Sequence, residues 1–575
     1  MIFFNIVAKY EELCYYICMN LKKCLADSIT FKLENVDFEN LIVESISPDK
    51  GDYCLPCFSL AKLMKKSPVE IANIISASIE KTDLIERVEI LNGYINFFLN
   101  KTYVSKMILE NFNLADLKLN DGKNEIVLID YGSPNLAKFL HIGHLKSSII
   151  GESLARLFEQ CGYVVKRLNY VGDYGTPFGK IIGGMLKWGS MEEVKQKGNE
   201  VLQDYYIRFN QEEKDNPELT QFARDIFKKI ELRDKEIYPI YQTIVDIALA
   251  DAKRMFDLLG VKFDDYRGEM YYNQFAPQVI KMLEDKHLLV ESQGAKIVDL
   301  SPYDLTPAVI LKNDGTTLYT TRDICAVIER YKEYHFNKMI YVTAIQQNLN
   351  FQQLFKIMEL AGYEFAHDME HVSYGMMSLP DGKISSRRGK QAVLVDLMDY
   401  ALNEANNIIK DRKFEIEDPK EVAKKVARAV LNFSVLKVDR NKDCVFDVKT
   451  AFSFEGETAP YMQYTYTRIE SILRKHEESK AKANYTCFNL DAFELVKYIN
   501  DFALVIRQSL IKRDPSIMVK RLLDICKTFN KFYTATKILD GDDDIRNAKI
   551  NLIKALRDVL ALGFNLICID TLKEM

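Results

Sequence analysis

The sequence predicts a multidomain α/β protein. It would hold a Rossmann-type parallel-sheet catalytic domain with an insertion, an N-terminal α+β module and a C-terminal all-α bundle. Three observations carry that expectation. Apolar strand-like runs alternate with amphipathic helical stretches through the middle of the chain, starting at Glu125-Ile126-Val127-Leu128-Ile129-Asp130. A segment rich in turn signals comes first, and from about residue 415 onward nearly all spacing is helical. At 575 residues the chain is too long for one core and should hold roughly three or four domains.

Taken in order, residues 1–118 read as a compact module. Glu11 to Ala26 has an apolar helical face, and Ser67-Pro68 starts a second helix with Ile71, Ile74, Ile75 and Ile79 on one side. Ile85–Ile90 and Tyr94–Leu99 alternate like two strands around Asn92-Gly93, a hairpin-turn pair. The polar stretch Lys118 to Asn124 is the expected linker. The sheet domain is placed at 119–385, with a charged helical insertion around 190–260, a connecting segment at 386–420 and the helical bundle at 421–575. Within the sheet domain, Tyr163–Tyr170 and Lys338–Thr343 are further strands, Asp314 to Asp323 reads as a turn, a short strand and a helix start, and Ile345-Gln346-Gln347-Asn348 opens another helix.

Charge and cysteine usage exclude several function classes. Lys+Arg 77 against Asp+Glu 82 gives net charge −5, so no global basic field exists and a nucleic-acid partner must be held by local patches. No apolar run approaches the ~18 residues of a membrane span, and the apolar start Met1–Ala8 lacks a signal peptide's basic region. Eleven cysteines without framework spacing fit reduced thiols and a cytoplasmic setting. Cys54-Leu55-Pro56-Cys57 lacks the second pair or βαβ context of a zinc or redox site and is read as structural.

The chemistry concentrates in two stretches. Asp130-Tyr131-Gly132-Ser133-Pro134-Asn135 leaves the first strand, and His141-Ile142-Gly143-His144 opens a long helix that Gly162 ends. Two histidines one turn apart at a helix N-terminus could be a metal half-site or ordinary surface residues. They could also join imidazole donors to unpaired backbone N–H groups as a polyphosphate grip, and the strand–loop–helix order favours this. Gly382-Lys383-Ile384-Ser385-Ser386-Arg387-Arg388-Gly389 is either a solvated basic turn or a loop able to close over a triphosphate. In the helical C-terminal part, Tyr461, Tyr464, Arg468 and Tyr533 interleave aromatic and basic groups, which pack as core or stack on unpaired bases.

Together these stretches resemble a class I aminoacyl-tRNA synthetase, and among those the arginyl family. Ser133–Lys138 with His141-Ile142-Gly143-His144-Leu145 resembles its HIGH motif and lead-in. Asn169–Gly179 resembles its next loop, Gly382–Gly389 its KMSKS loop, and Ala459-Pro460-Tyr461-Met462-Gln463-Tyr464 its anticodon-binding domain. The resemblance implies an arginine–tRNA ligase that uses ATP and Mg²⁺, the cation coming with ATP, and that binds L-arginine and tRNA(Arg) as a monomer with no membrane partner. His141, Gly143, His144, Lys383, Ser385 and Ser386 would hold ATP. Asp130, Asn135, Glu269, Tyr319, Asp323 and Gln347 would hold arginine, while Tyr461, Tyr464, Arg468, Tyr533 and Met575 would face the anticodon and residues 1–118 the tRNA elbow. Arg387 stands where the general class I loop has a second lysine, and Lys138 would compensate. Two rival readings are a non-catalytic tRNA-binding paralogue, which would not need an intact phosphate grip, and a small-molecule adenylyltransferase, which would have no use for the terminal domains.

Overall fold

A computed structural model describes residues 19–313, 315–379, 393–410 and 417–574, and these fall into two compact units. The predicted helix from Glu11 lies partly outside the described residues, and its described remainder is the helix Leu21–Asp27.

The first unit comprises residues 1–121, 465–507 and 521–563. Its four-stranded antiparallel sheet has the order β1 (Val43–Glu44), β2 (Tyr53–Pro56), β4 (Tyr94–Leu99), β3 (Ile85–Leu91). The predicted hairpin is present. Asn92 and Gly93 both have positive φ, 51° and 83°, as the two central residues of its tight turn must. Ser67 caps the helix Pro68–Ser76 in a reciprocal box with Glu70, and Ile71 and Ile75 are its buried face. Helices from the C-terminal part complete this unit, and Arg507 grips Asp121 through two hydrogen bonds of 2.7 and 3.0 Å. Cys54 and Cys57 are buried free thiols.

The second unit comprises residues 122–464, 508–520 and 564–575. β5 (Ile126–Asp130) and β6 (Val164–Leu168) are parallel, joined by helix α1 (Ile142–Gln160). Between β6 and the next parallel strand come the insertion helices, including Ile237–Leu259, and a three-stranded antiparallel sheet of β7 (Leu289–Ser292), β8 (Ala295–Val298) and β9 (Ala308–Leu311). Sequence reasoning missed that sheet. Its signal was Gln293-Gly294, both at positive φ in the turn between β7 and β8. The short strand expected after Asp314 is only a bridge between Thr317 and Leu311, and helix α2 (Tyr319–Tyr334) follows it.

β10 (Lys338–Ala344), helix α3 (Asn348–Leu360) and β11 (Met369–Tyr374) complete the main sheet, whose order is β11-β10-β5-β6 with all neighbours parallel. The chain leaves β5 toward β6 and then returns to the other side of β5. The order therefore reverses between β5 and β10, and the crevice at their carboxyl ends is where an open α/β sheet binds its ligand.

Candidate active site

A cavity of about 1000 Å³ lies at that crevice. Its walls come from the carboxyl ends of three strands, through Asp130, Thr343 and Tyr374, and from the start of α1 and the first turn of α3. After β5 the chain turns sharply, with Gly132 and Ser133 both at positive φ, 81° and 42°. A non-glycine residue there costs on the order of 1–3 kcal/mol. Side chains hold the turn: Gly132 N–H donates to Ser147 Oγ (2.9 Å) and Ser133 N–H to Asn169 Oδ1 (3.1 Å). Asp130 and Asn135, on either side of the turn, both line the cavity.

The two histidines are organised by the helix they start. His141 caps α1, its Nδ1 accepting from Gly143 N–H (3.1 Å), while His144 Nδ1 accepts from His141 N–H (3.0 Å). The rings stack with centroids 3.9 Å apart, and a Cβ on Gly143 would stand 2.8 Å from the His141 ring, which would have to shift to admit a side chain there. With both Nδ1 atoms accepting, each proton sits on Nε2. Burial, and then Lys138, lowers the pKa of His141; burial, and then His141, pulls His144 down to about 3. Both are therefore neutral N–H donors at pH 7, and His141, Gly143 and His144 all line the cavity.

Three acidic side chains, Asp130, Glu269 and Asp323, line the same cavity. Asp130 is buried and bonds Arg330 at 2.7 Å, and the Arg330 guanidinium lies over the Tyr170 and Tyr272 rings. Glu269 bonds Arg322 at 2.7 Å, with Arg322 over the Tyr174 ring. Two of the carboxylates expected to meet arginine thus already hold an arginine of this chain. Asp323 does not: among the described residues it makes no ion pair, and its Oδ2 accepts only from Asn350 Nδ2 at 3.0 Å. Burial pushes its pKa up to about 7 against that hydrogen bond, with Glu269 adding to the rise. Two buried oxygens lining the cavity also lack a partner among the described residues: Tyr170 Oη and Asn350 Oδ1. These acceptors suit a cation rich in N–H donors.

Comparison with known proteins gives the family. Residues 104–448 match the family described as tRNA synthetases class I (R), catalytic domain; residues 19–99 match the arginyl tRNA synthetase N terminal domain and residues 462–575 the DALR anticodon binding domain. The chain is 40% identical over 566 residues to the arginine–tRNA ligase of Halothermothrix orenii, covering 97% of this chain and 100% of that protein. It is 38% identical over 570 residues to that of Clostridium perfringens, with the same coverage. The chain belongs to the arginyl-tRNA synthetase family. The arginyl-tRNA synthetases of Thermus thermophilus (TM-score 0.77, 22% identity, 97% of this chain and 98% of that one) and Plasmodium falciparum (TM-score 0.76, 21% identity, 99% of each) share the fold.

The structure brings together most of the residues singled out for ATP and arginine. Asp130, Asn135, His141, Gly143, His144, Glu269, Tyr319, Asp323 and Gln347 line one cavity. Lys138 is exposed and does not line it, although its charge reaches His141. Lys383, Ser385 and Ser386 lie outside the described residues, as does Met575. In the helical part, Tyr461 and Tyr464 lie on the helix Ala459–Lys475, which also carries Arg468; the Arg468 guanidinium sits 4.7 Å from the ring centre of the partly exposed Tyr533. Sequence reasoning missed Arg322, Arg330 and Asn350. The signal available was spacing: Arg322 and Arg330 share α2 with Asp323, and Asn350 lies three residues after Gln347.

Proposed function

We propose that the chain is an arginine–tRNA ligase, which activates L-arginine with ATP to arginyl-adenylate and passes the arginyl group to the 3′-terminal adenosine of tRNA(Arg). The observation that carries the reading is Asp323: a carboxylate with no ion-pair partner among the described residues, in a cavity at the sheet's switch point that is also lined by neutral histidine donors at a helix N-terminus. A guanidinium supplies the missing positive charge and several N–H donors at once.

In this reading Asp323 carries the substrate's charge, the remaining oxygens of Glu269 and Asp130 and the ring of Tyr319 bound the side chain, and Asn135 and Gln347 orient the α-amino and carboxylate groups. Arg330 and Arg322 offset Asp130 and Glu269, so the pocket keeps about one uncompensated negative charge for one guanidinium. His141 and His144 donate Nε2–H to ATP, Gly143 leaves room for the His141 ring, and Lys383, Ser385 and Ser386, which lie outside the described residues, would bind ATP with them. A carboxylate oxygen of arginine attacks the α-phosphorus, the bond to the leaving pyrophosphate breaks, and donors stabilise the charge that builds on phosphorus. The terminal 2′-hydroxyl of tRNA then attacks the acyl carbon and AMP leaves. Mg²⁺ would enter with ATP as substrate; among the described residues no group of three or more His, Cys, Asp or Glu side chains is assembled to hold a metal. Tyr461, Tyr464, Arg468, Tyr533 and Met575 would face the anticodon and residues 1–118 the tRNA elbow, with the enzyme acting as a monomer in the cytoplasm. Among the described residues no helix is long and apolar enough to cross a membrane.

Pyrophosphate exchange into ATP, assayed with arginine in the presence and absence of tRNA(Arg), tests the reading. Arginine-dependent exchange is expected when tRNA is present; no exchange under either condition overturns it. Lys138→Ala is expected to lower kcat roughly tenfold or more while leaving the KM for arginine near its original value, because an exposed lysine beside His141 acts on phosphate charge. A wild-type kcat would end the idea that Lys138 compensates for Arg387.

A further inference from the structure

We propose that Asn350 is a specificity-determining residue of this pocket: its Oδ1 accepts one N–H of the substrate guanidinium while its Nδ2 fixes the rotamer of Asp323. The inference rests on reading the cavity as an arginine site and deepens that reading.

Asn350 lies in the first turn of α3 and lines the cavity. Its Nδ2 is 3.0 Å from Asp323 Oδ2. A carboxylate accepts only from the NH₂ end of an amide, so this bond fixes which end faces Asp323 and leaves Oδ1 turned away from it. That Oδ1 is buried and has no donor among the described residues, although nearly every buried oxygen in a folded protein finds one. A missing donor at a cavity wall, joined through one amide to the uncompensated carboxylate of the same cavity, is accounted for by a ligand that brings both a positive charge and an adjacent N–H.

The two groups then read different properties. Asp323 selects the charge, which arginine shares with lysine and ornithine. Asn350 requires N–H groups on neighbouring nitrogens of a planar group, which an ammonium cannot place at both oxygens. A ureido side chain would set its own oxygen against one of these acceptors. Methylation of a terminal guanidinium nitrogen keeps the charge but replaces an N–H by a methyl group, so it isolates the contribution of Asn350.

The experiment compares kcat/KM for L-arginine and Nω-monomethyl-L-arginine in aminoacylation of tRNA(Arg), using wild-type protein and Asn350→Leu, which has similar volume and neither polar end. Asn350→Leu should raise the KM for arginine roughly 10- to 100-fold with the KM for ATP unchanged. It should also compress the preference for arginine over the methylated analogue toward unity. Loss of the Nδ2 donor should move the acid limb of kcat/KM for arginine to higher pH. A purely structural role would weaken both substrates equally, and an unchanged preference overturns the proposal. If the leucine variant fails to fold, Asn350→Ser gives the same ratio by the same criteria. Wild-type protein that does not use arginine would overturn the arginine reading itself, whereas wild-type activity with an unaltered ratio in the variants overturns only the role of Asn350.

Discussion

Asp323→Asn is expected to lower kcat/KM for arginine by a factor on the order of 10³, leaving tRNA(Arg) binding unchanged. Removing one member of a buried charge pair costs about 3–5 kcal/mol, and each 1.4 kcal/mol is about a factor of ten. The other two carboxylates cannot substitute, because Arg330 and Arg322 already hold them. An unchanged KM for arginine would show that the charge is read elsewhere. The raised pKa of Asp323, about 7, adds a pH signature. Below that pH arginine must displace a proton from the free enzyme, so wild-type kcat/KM should fall about tenfold per unit of decreasing pH and level off above it. The asparagine variant should lose that limb.

The same carboxyl makes a stability prediction of opposite sign. Its folded pKa lies above the ordinary carboxylate value of 3.8, so protons favour the folded state. Its contribution to stability is fully present below the unfolded pKa and is lost as pH rises toward about 7. Ligand-free Asp323→Asn protein should therefore melt a few degrees above wild type at pH 8, with the difference vanishing by about pH 4. A variant that melts lower at pH 8 would mean that Asp323 serves structure rather than substrate. This is the trade-off expected where a site holds an uncompensated charge for its ligand.

The second large effect is expected at His144. His144→Ala should reduce kcat for arginyl-adenylate formation by roughly 10²–10³, the usual cost of losing one positioned donor to a developing oxyanion. Three losses coincide: an Nε2–H donor, the acceptor for His141 N–H, and the ring that stacks on His141 at 3.9 Å. His144→Asn, which keeps a donor and an acceptor, should recover part of the rate. Because burial holds His144 neutral down to about pH 3, kcat should show no decline as pH rises through 6 to 7. Such a decline would mean that an imidazolium, rather than a neutral donor, meets the phosphates.

The local readings that succeeded share one physical feature. The Asn92-Gly93 hairpin, the Ser67-Pro68 helix start, strand β5 and the histidine-led helix α1 are each decided by residues within a few positions of one another, through turn conformation, capping and apolar periodicity. Where a reading depended on partners elsewhere, it ran out. The β7–β9 sheet is short, half-exposed and weakly patterned, so its one local signal was the Gln293-Gly294 turn. Helical spacing placed Arg322 and Arg330 in α2 but could not say which carboxylates they hold, since Glu269 and Asp130 are 53 and 200 residues away.

The sequence by itself therefore determined the strand–loop–helix unit at 126–160, the alternation that builds a parallel sheet, and the chemical identity of the groups that line its crevice, because these follow from local backbone preferences and residue type. Only the tertiary structure decided which of those groups are free to meet a ligand. It paired Asp130 with Arg330 and Glu269 with Arg322, and among the described residues it left Asp323 without a cation and the amide oxygen of Asn350 without a donor. A carboxylate's charge is written in its side chain, but whether that charge is already compensated depends on which distant residue the fold brings within 3 Å.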